Sequence, residues 1–414
     1  MRDLLLLSHA FPPENTAAAT RPWQLYKYLP SLGYRVHVVA SALERADNPE
    51  PQVHRVPSAK ESWRLRFAEK LARGFTRHLA PYDDRLPWAP YAASASATLI
   101  RAQPVEAIFS TYPFLASHIA GLWLKLTSGL PWIADFQDPI LENPTRNRRW
   151  LYPYDRIVEH LIFRFADRVI ANTDTVAAAM RARYPQWADK VSVLWNSFDP
   201  EEPVAIVPKP ERPHRVLAHV GTLYGQRHPC LLLNTLERLE GQPLNLTVHL
   251  VGPIEPEMLA RNRPLFDRLQ QRGVLEYGNR LVDRAEALRE TAEADCLLLL
   301  DLNDNNAPLQ VPSKLLDYVR YGKPILAFTP KDSPTHRILA GSGVAFVAID
   351  PRDEPVLVVE KFAEFLRLPT ETRPPSQWFE ENFNAQTQAR AVARLLDSLL
   401  PRGKEMTAGA EAPQ

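Results

Sequence analysis

The chain has 414 residues, 45% apolar and 23% charged, with 49 basic against 48 acidic side chains and a formal charge of +1. A length beyond the roughly 250–300 residues at which one hydrophobic core stops growing predicts two domains, and the balanced charge excludes a general affinity for nucleic acid. With only Cys230 and Cys296, a disulfide scaffold and a multi-cysteine zinc site are excluded, and a reducing, cytoplasmic setting is expected.

The first apolar run, Leu4–Leu7, is too short for a secretion signal, and no stretch reaches the roughly 18 apolar residues of a membrane span. From there, short buried-strand patterns alternate with helical ones, the signature of parallel sheets wrapped by helices. Leu4–Ser8, Val36–Ser41, Ala107–Ser110, Trp132–Phe136, Arg168–Asn172 and Val191–Trp195 form a first set. Val216–Val220, Leu246–Val251, Cys296–Leu300, Pro324–Phe328 and Val344–Ile349 form a second. Between the sets, DPEEPVAIVPKPERPH has five prolines and no apolar period, which makes residues 199–214 a linker between domains 1–198 and 215–376. Residues 377–400 read as one closing helix that returns to the first domain, and 401–414 as a tail with little to bury.

The stretch 60–78 places Trp63, Phe67, Leu71 and Phe75 at steps of four, with Lys60, Arg64, Arg66, Lys70, Arg73 and Arg77 beside them. Two readings fit: an interfacial helix meeting an anionic membrane, or a domain helix with its aromatic stripe turned inward. TRNRRWLYPYDR, residues 145–156, adds basic and aromatic residues that can share the same surface.

Chemistry concentrates in the second set. In VPSKLLDYVRYGKPILAF, residues 311–328, Pro312 and Ser313 start a helix that Gly322 and Pro324 stop. Its N-terminus suits a phosphate, Lys314 adds a full charge, and Asp317 lies one turn on, where a carboxylate can accept two hydroxyl bonds from a ribose. A surface helix with an i, i+3 ion pair is the plain alternative. Upstream, Gly221 and Thr222 follow a buried strand and Arg227 precedes the next helix, at the carboxyl end of a parallel sheet where ligands bind. Asp301 and Asp304 resemble an Asp-x-x-Asp metal pair without a histidine, and loop solvation is the expected reading. His118, early in a helix, is expected to be structural.

Taken in order, SHAFPPENTAAATRPWQLYKYLPSLGYRVHVVAS, ADRVIANTDTVAAAMRARYP, KVSVLWNSFD, AHVGTLYGQRHPCLLL and VPSKLLDYVRYGKPILAF resemble the retaining glycosyltransferases of family 4 over some 380 residues. That resemblance implies the GT-B architecture, two Rossmann-like domains facing across a cleft. It also implies transfer of a sugar from a nucleotide-diphosphate donor to a hydroxyl of a glycan or lipid-linked acceptor, in cell-surface polysaccharide synthesis. The donor is a substrate, and neither a metal nor another cofactor is implied. By the same resemblance Arg227 and Lys314 meet the donor diphosphate beside Ser313, and Asp317 matches the second carboxylate of the Glu-x7-Glu motif. Gly278, Asn279 and Arg280 border the base, and Asp135, Gln137 and Asp138 face the sugar and acceptor.

Departures are equally specific. Leu309 stands where the first glutamate of Glu-x7-Glu belongs, leaving Gln310, Asn306 or Asp304 as substitutes. Thr222 replaces a second arginine, Thr16 and Ala17 a glycine pair, Ser197 the junction glycine, and Gln137 a histidine of the family. A non-catalytic GT-B subunit and a GT-B sugar-nucleotide epimerase are the alternatives these losses leave open.

Overall fold

The computed structural model describes residues 1–14, 16–42, 50–57, 85–143, 152–204, 207, 212–225, 227–241, 244–302 and 309–401. The stretch 60–78, residues 145–151, Asp304, Asn306 and the tail from 402 onward lie outside them.

The first domain holds β1 (Arg2–Leu7), β2 (Tyr34–Ser41), β3 (Val53–Val56), β4 (Val105–Tyr112), β5 (Trp132–Phe136), β6 (Arg168–Ala171) and β7 (Val191–Val193). Its helices are α1 (Ala17–Tyr28), α2 (Ala89–Ala102), α3 (Leu115–Ser128), α4 (Tyr152–Phe165) and α5 (Asp174–Arg183). The second domain holds β8 (Arg215–Val220), β9 (Leu246–Val251), β10 (Leu275–Tyr277), β11 (Cys296–Leu300), β12 (Ile325–Phe328) and β13 (Phe346–Ile349). Around them pack α6 (Cys230–Arg238), α7 (Pro256–Gln271), α8 (Arg284–Glu293), α9 (Lys314–Arg320), α10 (Pro334–Gly341) and α11 (Pro355–Leu366).

Each sheet is parallel, in the orders β3-β2-β1-β4-β5-β6-β7 and β10-β9-β8-β11-β12-β13. Continuous apolar strands explain this. Leu5 and Leu7 enter one core cluster of the first domain while Leu4 and Leu6 enter the cluster on the opposite face, so both faces must be covered by helices. In each sheet the strand order reverses once near the middle, between β1 and β4 and between β8 and β11. Those switch points open crevices at the carboxyl ends of the strands, and the two crevices face each other. The edge strands β3 and β10 were not among the predicted strands, because they are short and partly polar.

The closing segment corrects the expectation of one helix over 377–400. It is broken at Asn384 into α12 (Gln377–Phe383) and α13 (Ala385–Leu399). Phe379 and Phe383 of α12 stay in the second domain's core, whereas Ala389, Val392 and Leu396 of α13 bury in the first domain's. Asn384 makes the break by accepting a bond from Thr387 N, 2.8 Å, as the cap of a new helix. The chain crosses between domains at Phe198 and again here. The two crossings are tied by Phe198 N to Phe383 O and Ala385 N to Phe198 O, both 2.9 Å.

Among the described residues no helix is long and apolar enough to cross a membrane. Because Leu396 is fully buried between α13 and the first domain, Leu396→Ala is expected to cost about 2–5 kcal/mol. Urea denaturation checks it, and a change under about 1 kcal/mol would show that α13 contributes little to the first domain's core.

Candidate active site

The cleft between the domains holds a cavity of about 460 Å³. Its second-domain wall starts at the end of β8. Gly221 has φ +129, and a side chain there would collide with the Lys314 ammonium, its Cβ lying 2.5 Å from Nζ. Gly252, φ +124, packs against the backbone of Gly221 with no room for a Cβ either. This pair of glycines brings Lys314 and two strand ends together. Lys314 Nζ lies 3.0 Å from His219 Nε2, and His219 Nδ1 lies 3.0 Å from Leu298 O. Arg227 comes from the turn before α6, where it donates to Tyr224 Oη at 2.9 Å, while its buried Nε has no partner. Burial, helped by the Arg227 charge, lowers the Lys314 ammonium to about 7. Among the described residues no carboxylate reaches ion-pair distance of Lys314 or Arg227.

The first-domain wall is organised by Arg21, a side chain that sequence reading passed over. Arg21 on α1 is buried and pairs with Asp135 at 2.5 Å, and also donates to Leu194 O at 2.9 Å and Asn196 Oδ1 at 2.8 Å. Thr111 donates to the other Asp135 oxygen at 2.7 Å and receives Gln137 Nε2 at 2.8 Å. Burial raises Asp135, opposed by Arg21 and Thr111. It follows that Asp135 supports the wall from behind, while Gln137 and Asp138 line the cavity. The segment after them is held by buried Glu159, which accepts from Leu141 N at 3.3 Å and pairs with Arg183 at 2.8 Å. Asn172, also missed, lines the cavity with its buried Oδ1 unpartnered.

Gln310 Nε2 crosses the cleft to donate to Asp138 Oδ1 at 3.1 Å, and on its own side of the cleft Gln310 Oε1 is reached by Arg227 at 3.5 Å. At the rim, Arg337 of α10 grips both oxygens of Asp174 on α5, at 2.8 and 2.9 Å. Burial pushes Asp138 up to about 6, with Arg227, Arg21 and the Gln310 bond opposing it. Leu309 turns away from the cavity and buries in a core cluster of the first domain.

Of the residues singled out in sequence, Arg227, Ser313, Asp317 and Asp138 line one cavity, and Lys314 with Gly221 sits behind Arg227. Lys314 and Asp317 do not form the alternative i, i+3 ion pair. Lys314 turns to His219, while burial raises Asp317 against the opposing charges of Arg320 and Arg284. Thr222 is exposed outside the cavity. Gly278 and Arg280 line a separate depression of about 420 Å³, where Arg280 pairs with Glu286, and Asn279 spends its amide oxygen on Ile254 N at 2.7 Å. Asp301 is not loop-solvated as expected. It is buried, accepts from Leu302 N and Thr329 at 2.8 and 3.0 Å, and is raised to about 6 mainly by burial. His118 is fully buried on Ser110 at 2.8 Å and lowered to about 3, a neutral core histidine.

Two helix-wrapped parallel sheets with their switch points facing across a polar cleft define the GT-B fold. More particularly, residues 16–197 match the glycosyl transferase 4-like domain. The structure of Anabaena HepE in complex with UDP and glucose superposes with TM-score 0.60 at 16% identity, covering 96% of this chain and 100% of that one. The lipopolysaccharide outer core galactosyltransferase WaaB in its apo form gives 0.62 at 14%, covering 97% and 100%. Sucrose-phosphate synthase from Thermosynechococcus elongatus gives 0.61 at 13%, covering 96% and 99%. Comparison with curated protein sequences finds no match.

The raised Asp138 carries a pH prediction. Its folded value of about 6 lies above the unfolded value near 4, so the native state holds the proton more tightly and stability falls as pH rises from about 4 through 6. Asp138→Asn, which keeps an acceptor for Gln310, is expected to exceed the parent in stability by roughly 1–3 kcal/mol at pH 7.5 and to match it below pH 4. Urea unfolding at the two pH values measures this, and an equal difference at both would exclude the Asp138 titration as its source.

Proposed function

We propose that this enzyme is a retaining glycosyltransferase that moves a sugar from a nucleoside-diphosphate donor to a hydroxyl of a glycan or lipid-linked acceptor in cell-surface polysaccharide synthesis. The observation that carries the donor half is the pair Arg227 and Lys314: two cations at the β8–β11 switch point with no described carboxylate at ion-pair distance. A diphosphate supplies the missing charge. HepE, the structural relative, is described in complex with UDP and with UDP-glucose, which supports a nucleotide sugar as the donor here.

In this reading the chemistry is stabilisation of a leaving group. Negative charge grows on the departing diphosphate as the glycosidic bond breaks, and Arg227 and Lys314 are aimed where it grows. With the acceptor hydroxyl on the same face, the leaving phosphate accepts its proton, so retention needs no separate base. Asp317, across the cavity from Asp138, receives the ribose hydroxyls. Gln310 takes the place of the absent carboxylate at Leu309 and presents an amide between Asp138 and Arg227 to the donor sugar. The polar first-domain wall of Gln137, Asn172 and Asn196 receives the acceptor. A lipid-linked acceptor draws the enzyme to an anionic membrane face, and the basic, aromatic residues of 60–78 are the sequence feature that supports this part.

Thermal shifts with UDP, GDP, ADP and dTDP and their sugars identify the donor, since a ligand that binds only the native state stabilises it. With that donor, Lys314→Ala and Arg227→Ala are each expected to lower kcat about 10²-fold, more than they weaken diphosphate binding. Asp317→Ala is expected to weaken binding by about 1–3 kcal/mol with little change in kcat. Variants of Lys314 and Arg227 that bind and turn over like the parent would remove the donor site from this cleft. Tight diphosphate binding without transfer to any glycan or lipid acceptor would favour the non-catalytic subunit, with Leu309 as the simplest cause.

A further inference from the structure

His219 interrupts the apolar run of β8 with a buried, polar side chain whose two ring nitrogens have different partners. Nδ1 faces the carbonyl oxygen of Leu298 on β11 at 3.0 Å, and a carbonyl can only accept, so the ring proton is on Nδ1. Nε2 is therefore a lone pair, and it faces Lys314 Nζ at 3.0 Å, where the ammonium donates to it. The backbone of Gly221 closes the same ammonium on another side. Among the described residues the charged or titratable groups around Nζ are His219 from β8 and Arg227 from the turn before α6. On α9 itself, Asp317 feels the charges of Arg320 and Arg284, and the Tyr318 hydroxyl accepts from Val220 N at 3.1 Å. His219 stays neutral: burial, then the Lys314 and Arg227 charges, hold it well below the ordinary histidine range.

We infer that His219 is a positioning residue for the donor diphosphate, acting through Lys314: its fixed tautomer presents an acceptor that holds the ammonium charged and aimed at the anion beside Arg227. The inference rests on the reading of this cleft as a diphosphate site. It adds that a neutral residue outside the cavity sets the pH range over which the anion is bound. Removing the acceptor withdraws a hydrogen bond that favours the charged form, so Lys314 loses its proton at lower pH than its present value of about 7.

The test is calorimetric titration of the full chain with inorganic pyrophosphate at pH 5.5 and 8.5. Comparing variant with parent at each pH cancels the titration of pyrophosphate itself. His219→Asn keeps a donor for Leu298 O but is too short to reach Lys314, whereas His219→Gln places an oxygen near the Nε2 position. A fall of about one unit in the Lys314 value makes the Asn variant about tenfold weaker than the parent at pH 8.5 and within about twofold at pH 5.5. The Gln variant is expected to follow the parent within about twofold at both. An Asn variant weakened equally at both pH values would mark His219 as merely structural, and one not weakened at all would remove it from the site. A folded Gln variant that loses the parent's pH profile overturns the inference however the Asn variant folds. Lys314→Ala in the same titration separates the two readings. If it binds pyrophosphate like the parent, the donor site is misplaced; if it loses binding while both His219 variants keep the parent's profile, only the role of His219 fails.

Discussion

An ammonium and a guanidinium gathered at one switch point, with no described carboxylate at ion-pair distance of either, are unfavourable unless something anionic joins them, and the architecture of the second domain maintains this arrangement. Gly221 and Gly252 let two strand ends and the Lys314 side chain approach where any Cβ would intervene. His219 offers Lys314 a neutral acceptor, which localises the charge without neutralising it. A fixed carboxylate in that place would satisfy the lysine and leave nothing for a diphosphate to gain. Burial, and then the Arg227 charge, lowers the Lys314 value to about 7.

The first-domain wall follows the opposite logic. Its central cation, Arg21, is held by Asp135, Leu194 O and Asn196, and the network continues through Thr111 to Gln137. A buried, paired charge of this kind contributes little net stability, but breaking it is costly, so it fixes the geometry of the surface in front of it. What that surface shows the cleft is amide and hydroxyl chemistry, with Asp138 as its one raised carboxylate. The two walls meet through Gln310, at the position next to the family carboxylate that Leu309 lacks. The side chain of Leu309 has become an interdomain packing contact instead.

Much of this was legible in the sequence. Leucine- and valine-rich runs on strands buried on both faces mark the sheets, and the proline-rich break marks the domain boundary. Gly221, Arg227, Lys314, Asp317 and Asp138 stand out because each follows a strand or opens a helix. The partners that define the site were not legible, because they are distant in the chain. His219 and Lys314 are 95 residues apart, Arg21 and Asp135 are 114, and Gln310 and Asp138 are 172. A polar residue inside an otherwise apolar strand was the available signal in His219, but it does not name the partner, and Arg21 lies in a helix of mixed polarity that gives no such signal. The break at Asn384 was hidden for another reason: α12 and α13 are both amphipathic, and their apolar faces address different domains.

The measurement that tests the central claim most directly is the number of protons taken up when the nucleoside diphosphate binds. It is obtained by titration calorimetry at pH 8 in buffers of different ionisation enthalpy. An anion seated against Lys314 restores the ammonium, which at a value of about 7 is roughly nine-tenths discharged at pH 8, so binding at that pH is expected to take up close to one proton, and the uptake is expected to vanish in Lys314→Ala. Tight binding with no proton uptake, or the same uptake in parent and Lys314→Ala, would contradict the claim that Lys314 is the charge the diphosphate completes.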